Sequence, residues 1–424
     1  MRLNLRVNRT ALWQYMLIYM SAQYFGGRVM TALGADIFFP LVLLIIAFTI
    51  IIRRNLFIQK NCVNRYFGFL FFILLYLGIS VVFTSGGMTI GTMLSLLSRF
   101  LLIYISVAID PDEYLMRLVK LVAVFASISD IIFVSHFIGL TPLLAVISRW
   151  FYRIPSGMWY GGDTYGLFFF VFKLDDLTRN SYMFGEPGEY QMIINTALFF
   201  LLFFSNRIYM EDKQKRNLLI LFLITLLTIQ STSGFFSLAV ILTLSLLQNR
   251  NTMGKAMRRL LIAIVFVVLT YCAFFASKDS ILYTALIDKI TSSTGHIDLA
   301  QSTGADRVNP YFELMLNLKG KPLQVIFGVG PNGLESTSLG EYSANGIVNL
   351  IMMCGIVFVV PLYYYMIKKN VKYSNNIFSS IAAVFIVINQ GLGQPEMISI
   401  FSILILLYPY IFYLNMFRYR KFLD

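Results

Sequence analysis

Long runs of Leu, Ile, Phe and Val alternate with short basic segments along most of the 424-residue chain. Many of these runs approach the length of about 20 residues that a helix needs to cross the hydrocarbon core of a bilayer. The pattern predicts an all-α polytopic membrane protein with about 12 transmembrane helices. The candidate spans are residues 10–25, 36–52, 66–84, 89–109, 118–138, 189–205, 217–231, 234–248, 260–276, 344–366, 377–393 and 397–416.

The segment between the two shortest spans has two interpretations. Residues Ser231 to Gly234 fit either a tight turn between two helices or a break inside one helix. The basic segments 206–216 and 250–259 must lie on the same side of the membrane if positive charge marks the cytoplasmic loops. An even number of crossings between them is therefore needed, and this favours the turn.

Two polar connections are much longer than the others, residues 139–188 and 277–343. We expect both to be large loops on the outer face of one integral domain, residues 1–424, and to contain short amphipathic helices. In the first loop such a helix is predicted around Leu143 to Tyr152. In the second, Asn309 and Pro310 resemble an N-cap followed by proline at the first helical position.

The composition supports a membrane protein, because hydrophobic residues make up 58% and charged residues only 13% of the chain. The formal net charge of +13 raises the question of nucleic acid. However, most of the basic residues lie in short segments that all fall on one side of the predicted spans, the side of both termini. The positive-inside rule therefore assigns both termini to the cytoplasm. The charge is therefore a topology signal, and no nucleic-acid partner is predicted. The 3 cysteines and 2 histidines suggest neither a disulfide framework nor a metal site.

Arg99 and Asp130 are the main charged residues inside predicted spans, at similar depths below the outer ends of neighbouring helices. A charge within a membrane is costly, so such a residue suggests a function by default. A structural ion pair between the two helices is the equal alternative.

Asp110 and Asp112 resemble the D-x-D metal site of nucleotide-sugar transferases. They fall in a short loop that is predicted to be cytoplasmic, and no folded domain accompanies them to hold a nucleotide. We therefore predict no metal and no cofactor.

The segment from Arg179 to Glu189 runs directly into a predicted span and carries the strongest chemical signal. A guanidinium binds phosphate oxygens through two parallel hydrogen bonds, and a nearby carboxylate such as Glu186 is able to accept a proton. The alternative is a solvated loop followed by a helix start, since Glu186 and Pro187 suit a first helical turn.

The order of these motifs resembles the bacterial O-antigen and capsular polysaccharide polymerases of the Wzy type. The resemblance covers roughly Arg179 to Tyr365 and includes Ser231 to Gly234, Arg307, the glycine turn ending at Gly330 and the Asn345 helix entry. It also extends to the O-antigen ligases, whose motif commonly has a histidine before this asparagine. Ala344 occupies that position in this chain, so carboxylates are the candidate catalytic groups in place of a histidine.

The resemblance implies a metal-independent, inverting glycosyltransferase of the bacterial inner membrane with a periplasmic active face. Its substrate would be an undecaprenyl-pyrophosphate-linked oligosaccharide, and a flippase and a chain-length regulator would be partners. An O-antigen ligase and a polysaccharide flippase are the alternatives. The implied catalytic carboxylates are Glu186, Glu313 and Glu341, and the implied pyrophosphate-binding residues are Arg179, Arg307 and Arg153.

Overall fold

The computed structural model describes residues 9–27, 45–46, 49, 60–84, 88–154, 164–167, 169–174, 179–336 without 249–301, 343, 345–374, 376–394 and 396–420. The chain divides into two compact units. The first consists of Met1–Tyr66, Ser98–Ile229 and Tyr408–Asp424, and the second of Phe67–Leu97 and Gln230–Leu407.

The described residues are mostly helical, as predicted. The helices in chain order are α1 (Arg9–Gly26), α2 (Lys60–Phe83), α3 (Ile90–Ile109), α4 (Pro111–Phe137), α5 (Thr141–Ser148), α6 (Pro187–Phe203), α7 (Asp212–Ile229), α8 (Thr232–Gln248), α9 (Ser302–Gly320), α10 (Pro322–Phe327), α11 (Gly346–Cys354), α12 (Ile356–Tyr373), α13 (Ile377–Gly393) and α14 (Ile400–Arg420). Short 3₁₀ helices cover Ser205–Arg207 and Pro331–Ser336. The predicted spans 36–52 and 260–276 lie mostly or wholly outside the described residues.

Among the described residues, three helices are long and apolar enough to cross a membrane. They are Arg65–Val82 within α2, Ile90–Ile109 and Pro111–Phe137. The bent pair α11 and α12 makes a fourth if it counts as one span, and α8, α13 and most of α14 are shorter apolar helices. The chain is thus a helical protein with several membrane-capable segments.

In the first unit, α4 begins with Pro111 at its first position and two acidic residues in its first turn, both favourable at a helix N-terminus. Asp110, just before it, forms an ion pair with the buried Arg117 at 2.7 Å. The amide of Gln14, on α1, donates to the carbonyl oxygens of Ser106 at 2.7 Å and Asp110 at 3.0 Å. The Asp110 carboxylate thus pairs with the first turns of α4, while its backbone carbonyl bonds to α1.

A three-stranded antiparallel sheet lies in the first long connection, so the all-α prediction is wrong for this segment. The strands are β1 (Tyr152–Ile154), β2 (Thr164–Leu167) and β3 (Phe170–Lys173), with β2 between the other two. Threonine, valine and aromatic residues favour strands, and the pairing satisfies backbone groups outside a helix. The short helix predicted here is α5, which ends at Ser148, before β1 begins.

The second unit contains a broken helix where the sequence predicted one span, 344–366. Helices α11 and α12 meet at Gly355 at an angle of 120°. Val329 N and Gly330 N donate to the carbonyl oxygens of Met352 at 2.8 Å and Met353 at 3.0 Å. These bonds satisfy carbonyl groups that the end of α11 leaves without helical partners. The turn that contains Val329 and Gly330 thus supplies the donors that a continuing helix would have supplied.

The polar helix of the second long connection begins earlier than predicted. Helix α9 starts at Ser302 and contains Pro310, so the N-cap predicted at Asn309 is wrong. A proline inside a helix removes one backbone donor, and the rest of the ladder continues around it here. Helix α9 stops at Gly320, and α10 begins with Pro322.

The chain breaks between α7 and α8 near the predicted position. Helix α7 ends at Ile229, α8 begins at Thr232, and Gln230 has a φ of +53°. Within the second unit, the side-chain amide of Asn389 donates to the carbonyl oxygen of Ser233 at 2.6 Å and to Ser237 Oγ at 2.7 Å. These bonds join α13 to the first turns of α8.

Candidate functional site

A cleft with an empty volume of about 360 Å³ lies in the first unit. It is bordered by the C-terminal part of α4, by strand β3 and by the loop from Arg179 to Tyr182. This volume includes the open mouth of the cleft.

The buried carboxylate of Asp130 anchors one wall of this cleft. Thr225 Oγ1 donates to it at 2.7 Å, Thr228 Oγ1 at 3.1 Å and Asn180 Nδ2 at 3.3 Å. Hydrogen bonds to an ionised carboxylate are stronger than those between neutral groups. Asp130 thus ties α4 both to α7 and to the loop that carries Arg179.

Asn180 connects the Asp130 carboxylate to the backbone of the loop and so fixes the loop conformation. Its backbone N–H donates to the carbonyl oxygen of Thr228 at 3.0 Å, and its Oδ1 accepts from the backbone N–H of Tyr182 at 3.2 Å. A side-chain acceptor two residues before its donor forms a turn of the kind that asparagine favours. Because Arg179 directly precedes Asn180, these bonds also fix the backbone of the arginine.

The Tyr182 side chain holds the same loop against aromatic residues. Its ring centroid lies 6.0 Å from that of Phe125 and 5.7 Å from that of Tyr190. Its hydroxyl donates to the carbonyl oxygen of Phe169. Burial raises the pKa of Tyr182 well above its usual value, so the hydroxyl stays protonated at neutral pH. Tyr182 therefore serves as a donor and not as a base.

The far end of the loop is fixed by helix α6 and by α1. Gly185 N donates to Glu189 Oε2 at 3.0 Å and to the carbonyl oxygen of Gly26 at 3.2 Å. Glu186 and Glu189 form a reciprocal capping box at the start of α6, with Pro187 at its first position. A Cβ atom on Gly26 would lie 2.5 Å from Glu189 Oε2, so glycine fits there without displacing the carboxylate. Both ends of the loop are thus held by packed helices.

The cleft has a positive electrostatic character. Lys173, Arg179 and His136 line it, and no acidic side chain does so among the lining residues that the structure describes. The half-buried Arg179 presents a planar group suited to phosphate oxygens, while Lys173 adds a compact charge. Such a site favours a small anion with several oxygen acceptors.

The predicted pyrophosphate-binding residue Arg179 lies at the cleft. Arg179 lines it, whereas Arg153 is exposed on β1 and does not. The backbone of Arg307 lies in α9 of the second unit, and its side chain falls outside the described part of the chain. The grouping of the three arginines stays a prediction.

The three predicted catalytic carboxylates have different surroundings. Glu186 caps α6, as the alternative interpretation of this segment predicted. Glu313 lies half-buried on α9 in the second unit, and Glu341 falls outside the described residues. No carboxylate of this set lines the cleft among the described residues. Their catalytic role stays a prediction.

The ion pair predicted between Arg99 and Asp130 does not match the geometry. The partners of Asp130 are two threonines and an asparagine, while the Arg99 guanidinium lies 5.5 Å from the centre of the Tyr24 ring. Three neutral donors already satisfy the carboxylate, so it needs no arginine. Asp130 has a positioning role.

Sequence reasoning missed His136, Lys173 and Asn180. The sequence assigned no role to His136, which has no metal-ligand spacing, and Lys173 is separated from Arg179 by a short acidic segment that carries no signal. Their proximity depends on the register of the sheet and on the turn at Asn180, neither of which follows from hydropathy. The sequence places His136 at the end of the predicted span 118–138. This is the outer membrane boundary, where the segment from Arg179 was also predicted to lie.

No protein-family model and no curated protein matches the chain.

Proposed function

We propose that the protein polymerises lipid-linked oligosaccharide repeat units into a surface polysaccharide. The growing chain is transferred from undecaprenyl pyrophosphate to the non-reducing end of a new unit. The observation that carries the proposal is the positive cleft beside α4, in which a preorganised loop holds Arg179 near Lys173. A sugar pyrophosphate supplies its own leaving group, so the reaction needs neither a nucleotide nor a metal.

The negative charge of the leaving group explains why positively charged side chains line the cleft. When the anomeric bond breaks, negative charge grows on the pyrophosphate oxygen, and cations already in place stabilise that charge most effectively. The bonds from Asp130 and Asn180 supply this preorganisation for Arg179. Attack by the acceptor hydroxyl from the face opposite the pyrophosphate inverts the anomeric centre.

The proposed topology puts this cleft where lipid-linked units become available after they are flipped. About 12 spans with both termini in the cytoplasm put residues 139–188 and 277–343 on the periplasmic face of the inner membrane. The cleft is formed by the end of α4 and by the first of these connections. Among the described residues, the helices long and apolar enough to cross a membrane support a membrane location for the protein.

The test separates a polymerase from a flippase in cells. A strain with Arg179→Ala should display single repeat units without a ladder of longer chains, because flipping and ligation are the work of other proteins. Ser135→Ala is the control, since among the described residues the Ser135 hydroxyl bonds only to the Ile131 carbonyl of its own helix, at 2.7 Å. Loss of all surface repeats, with lipid-linked units accumulating inside, would instead support a flippase. An unchanged ladder would remove Arg179 from the site.

A further inference from the structure

His136 is a polar group of the cleft without a role in stabilising the leaving group. It lies in the last turn of α4, is half-buried and lines the same cleft as Arg179 and Lys173. Its Nδ1 lies 3.2 Å from Thr141 Oγ1, at the start of α5. Among the described residues this is the one hydrogen-bond partner of the imidazole ring, so Nε2 is left available.

The other candidates for proton acceptor are already engaged. Glu186 caps a helix, and Tyr182 donates its hydroxyl to a backbone carbonyl. Asp130 accepts three hydrogen bonds and does not line the cleft. Lys173 and Arg179 are cations at neutral pH. An imidazole, by contrast, takes up a proton near neutral pH and is the commonest general base in enzymes.

We propose that His136 Nε2 is the general base of the transfer, a role that rests on the proposed polymerase function. In the tautomer that this role requires, Nδ1–H donates to Thr141 Oγ1 and Nε2 carries the lone pair. The acceptor sugar hydroxyl gives its proton to Nε2 while its oxygen bonds to the anomeric carbon of the donor. The bond from that carbon to the pyrophosphate oxygen breaks, and the leaving group departs with the electron pair toward Arg179 and Lys173.

The proposal also explains why α5 follows α4 so closely. Gly139, with φ of +79°, turns the chain between the two helices, and this turn returns Thr141 to the imidazole five residues earlier. Thr141 is thus a positioning residue. The charged or titratable side chains lining the cleft with His136 are Lys173, Arg179 and Tyr182, among the residues that the structure describes.

The test uses purified full-length protein in detergent with a synthetic polyprenyl-pyrophosphate-linked repeat unit. His136→Gln retains a polar side chain of similar size but is unable to take up a proton. It should lower kcat by about 10²–10⁴-fold, the usual contribution of general acid–base catalysis. Binding of polyprenyl pyrophosphate alone should be unchanged. Added imidazole should restore part of the rate to His136→Gly, and Thr141→Val should lower kcat without raising KM.

Each outcome has a distinct meaning. Ser135→Ala should behave as the wild type and thereby exclude a general effect of changes in this turn of α4. If the wild type transfers and His136→Gln transfers equally well, the base is another residue while the polymerase function stands. If His136→Gln loses lipid binding together with turnover and imidazole rescues nothing, His136 is a structural residue. If the wild type transfers nothing, the polymerase function fails and the role of His136 fails with it.

Discussion

A single methyl group at Gly355 should strongly destabilise the second unit. Its φ of +80° and ψ of +154° lie in a region that only glycine occupies readily. A Cβ atom there would lie 2.3 Å from the carbonyl oxygen of Ile326 and 2.4 Å from the carbonyl carbon of Phe327. Both atoms belong to the backbone, so no side-chain rotation relieves the clash.

These two effects set the expected magnitude for Gly355→Ala. The backbone conformation costs a residue with a Cβ about 1–3 kcal/mol, and forcing an extra methyl group into a packed site costs about 1–3 kcal/mol more. The sum is about 2–6 kcal/mol. The facing Gly328, with φ of +86°, makes the same contact from the other side, because its Cβ would lie 2.5 Å from the carbonyl oxygen of Met353.

The assay is thermal unfolding of the purified protein in detergent, with Gly68→Ala as the matched control. Gly68 lies in α2, and a Cβ atom added there would have no neighbouring atom within 4 Å among the described residues. Alanine should therefore leave stability unchanged or raise it by up to about 1 kcal/mol. Gly355→Ala should unfold at a clearly lower temperature and lose activity. If the two variants unfolded together at the wild-type temperature, the close contact between the glycine turn and the helix break would be refuted.

Two further perturbations test the Asp130 anchor and the membrane topology. Asp130→Asn keeps the shape but offers one acceptor oxygen in place of two, so it should weaken the anchor by about 1–3 kcal/mol and reduce polymer length; an unchanged ladder and melting temperature would show that the loop does not depend on this carboxylate. Alkaline phosphatase and green fluorescent protein fusions should place Lys213 in the cytoplasm and Gly304 in the periplasm, and phosphatase activity at Lys213 would refute the topology.

Hydropathy predicted the positions of the described helices well because apolar runs of this length have few alternatives. It missed the break at Gly355, since glycine is common inside membrane helices and the contact that requires it comes from Gly328, which lies outside the predicted span. It also missed the sheet, whose strands are only three or four residues long. Strands of this length contain too few residues for an alternation of apolar and polar side chains to be recognised in the sequence.

The candidate site was only partly predictable for a related reason. The chemistry of Arg179 and the helix start at Glu186 were visible, because a cation before a capping motif is a local signal. The partners of Asp130 were not, since Thr225 and Thr228 lie about a hundred residues away on α7 and look like ordinary helix residues. A buried carboxylate indicates that it has partners but does not indicate which ones.

The most direct test of the proposed function is polymerisation by the purified protein alone. Lipid-linked repeat units with a polyprenyl pyrophosphate anchor are supplied in detergent or liposomes, with chelator present and without nucleotide. We predict a ladder of lengthened lipid-linked chains and release of one polyprenyl pyrophosphate for each new linkage. Movement of the units across the liposome membrane without any lengthening, or a ladder that chelator abolishes, would contradict the proposal.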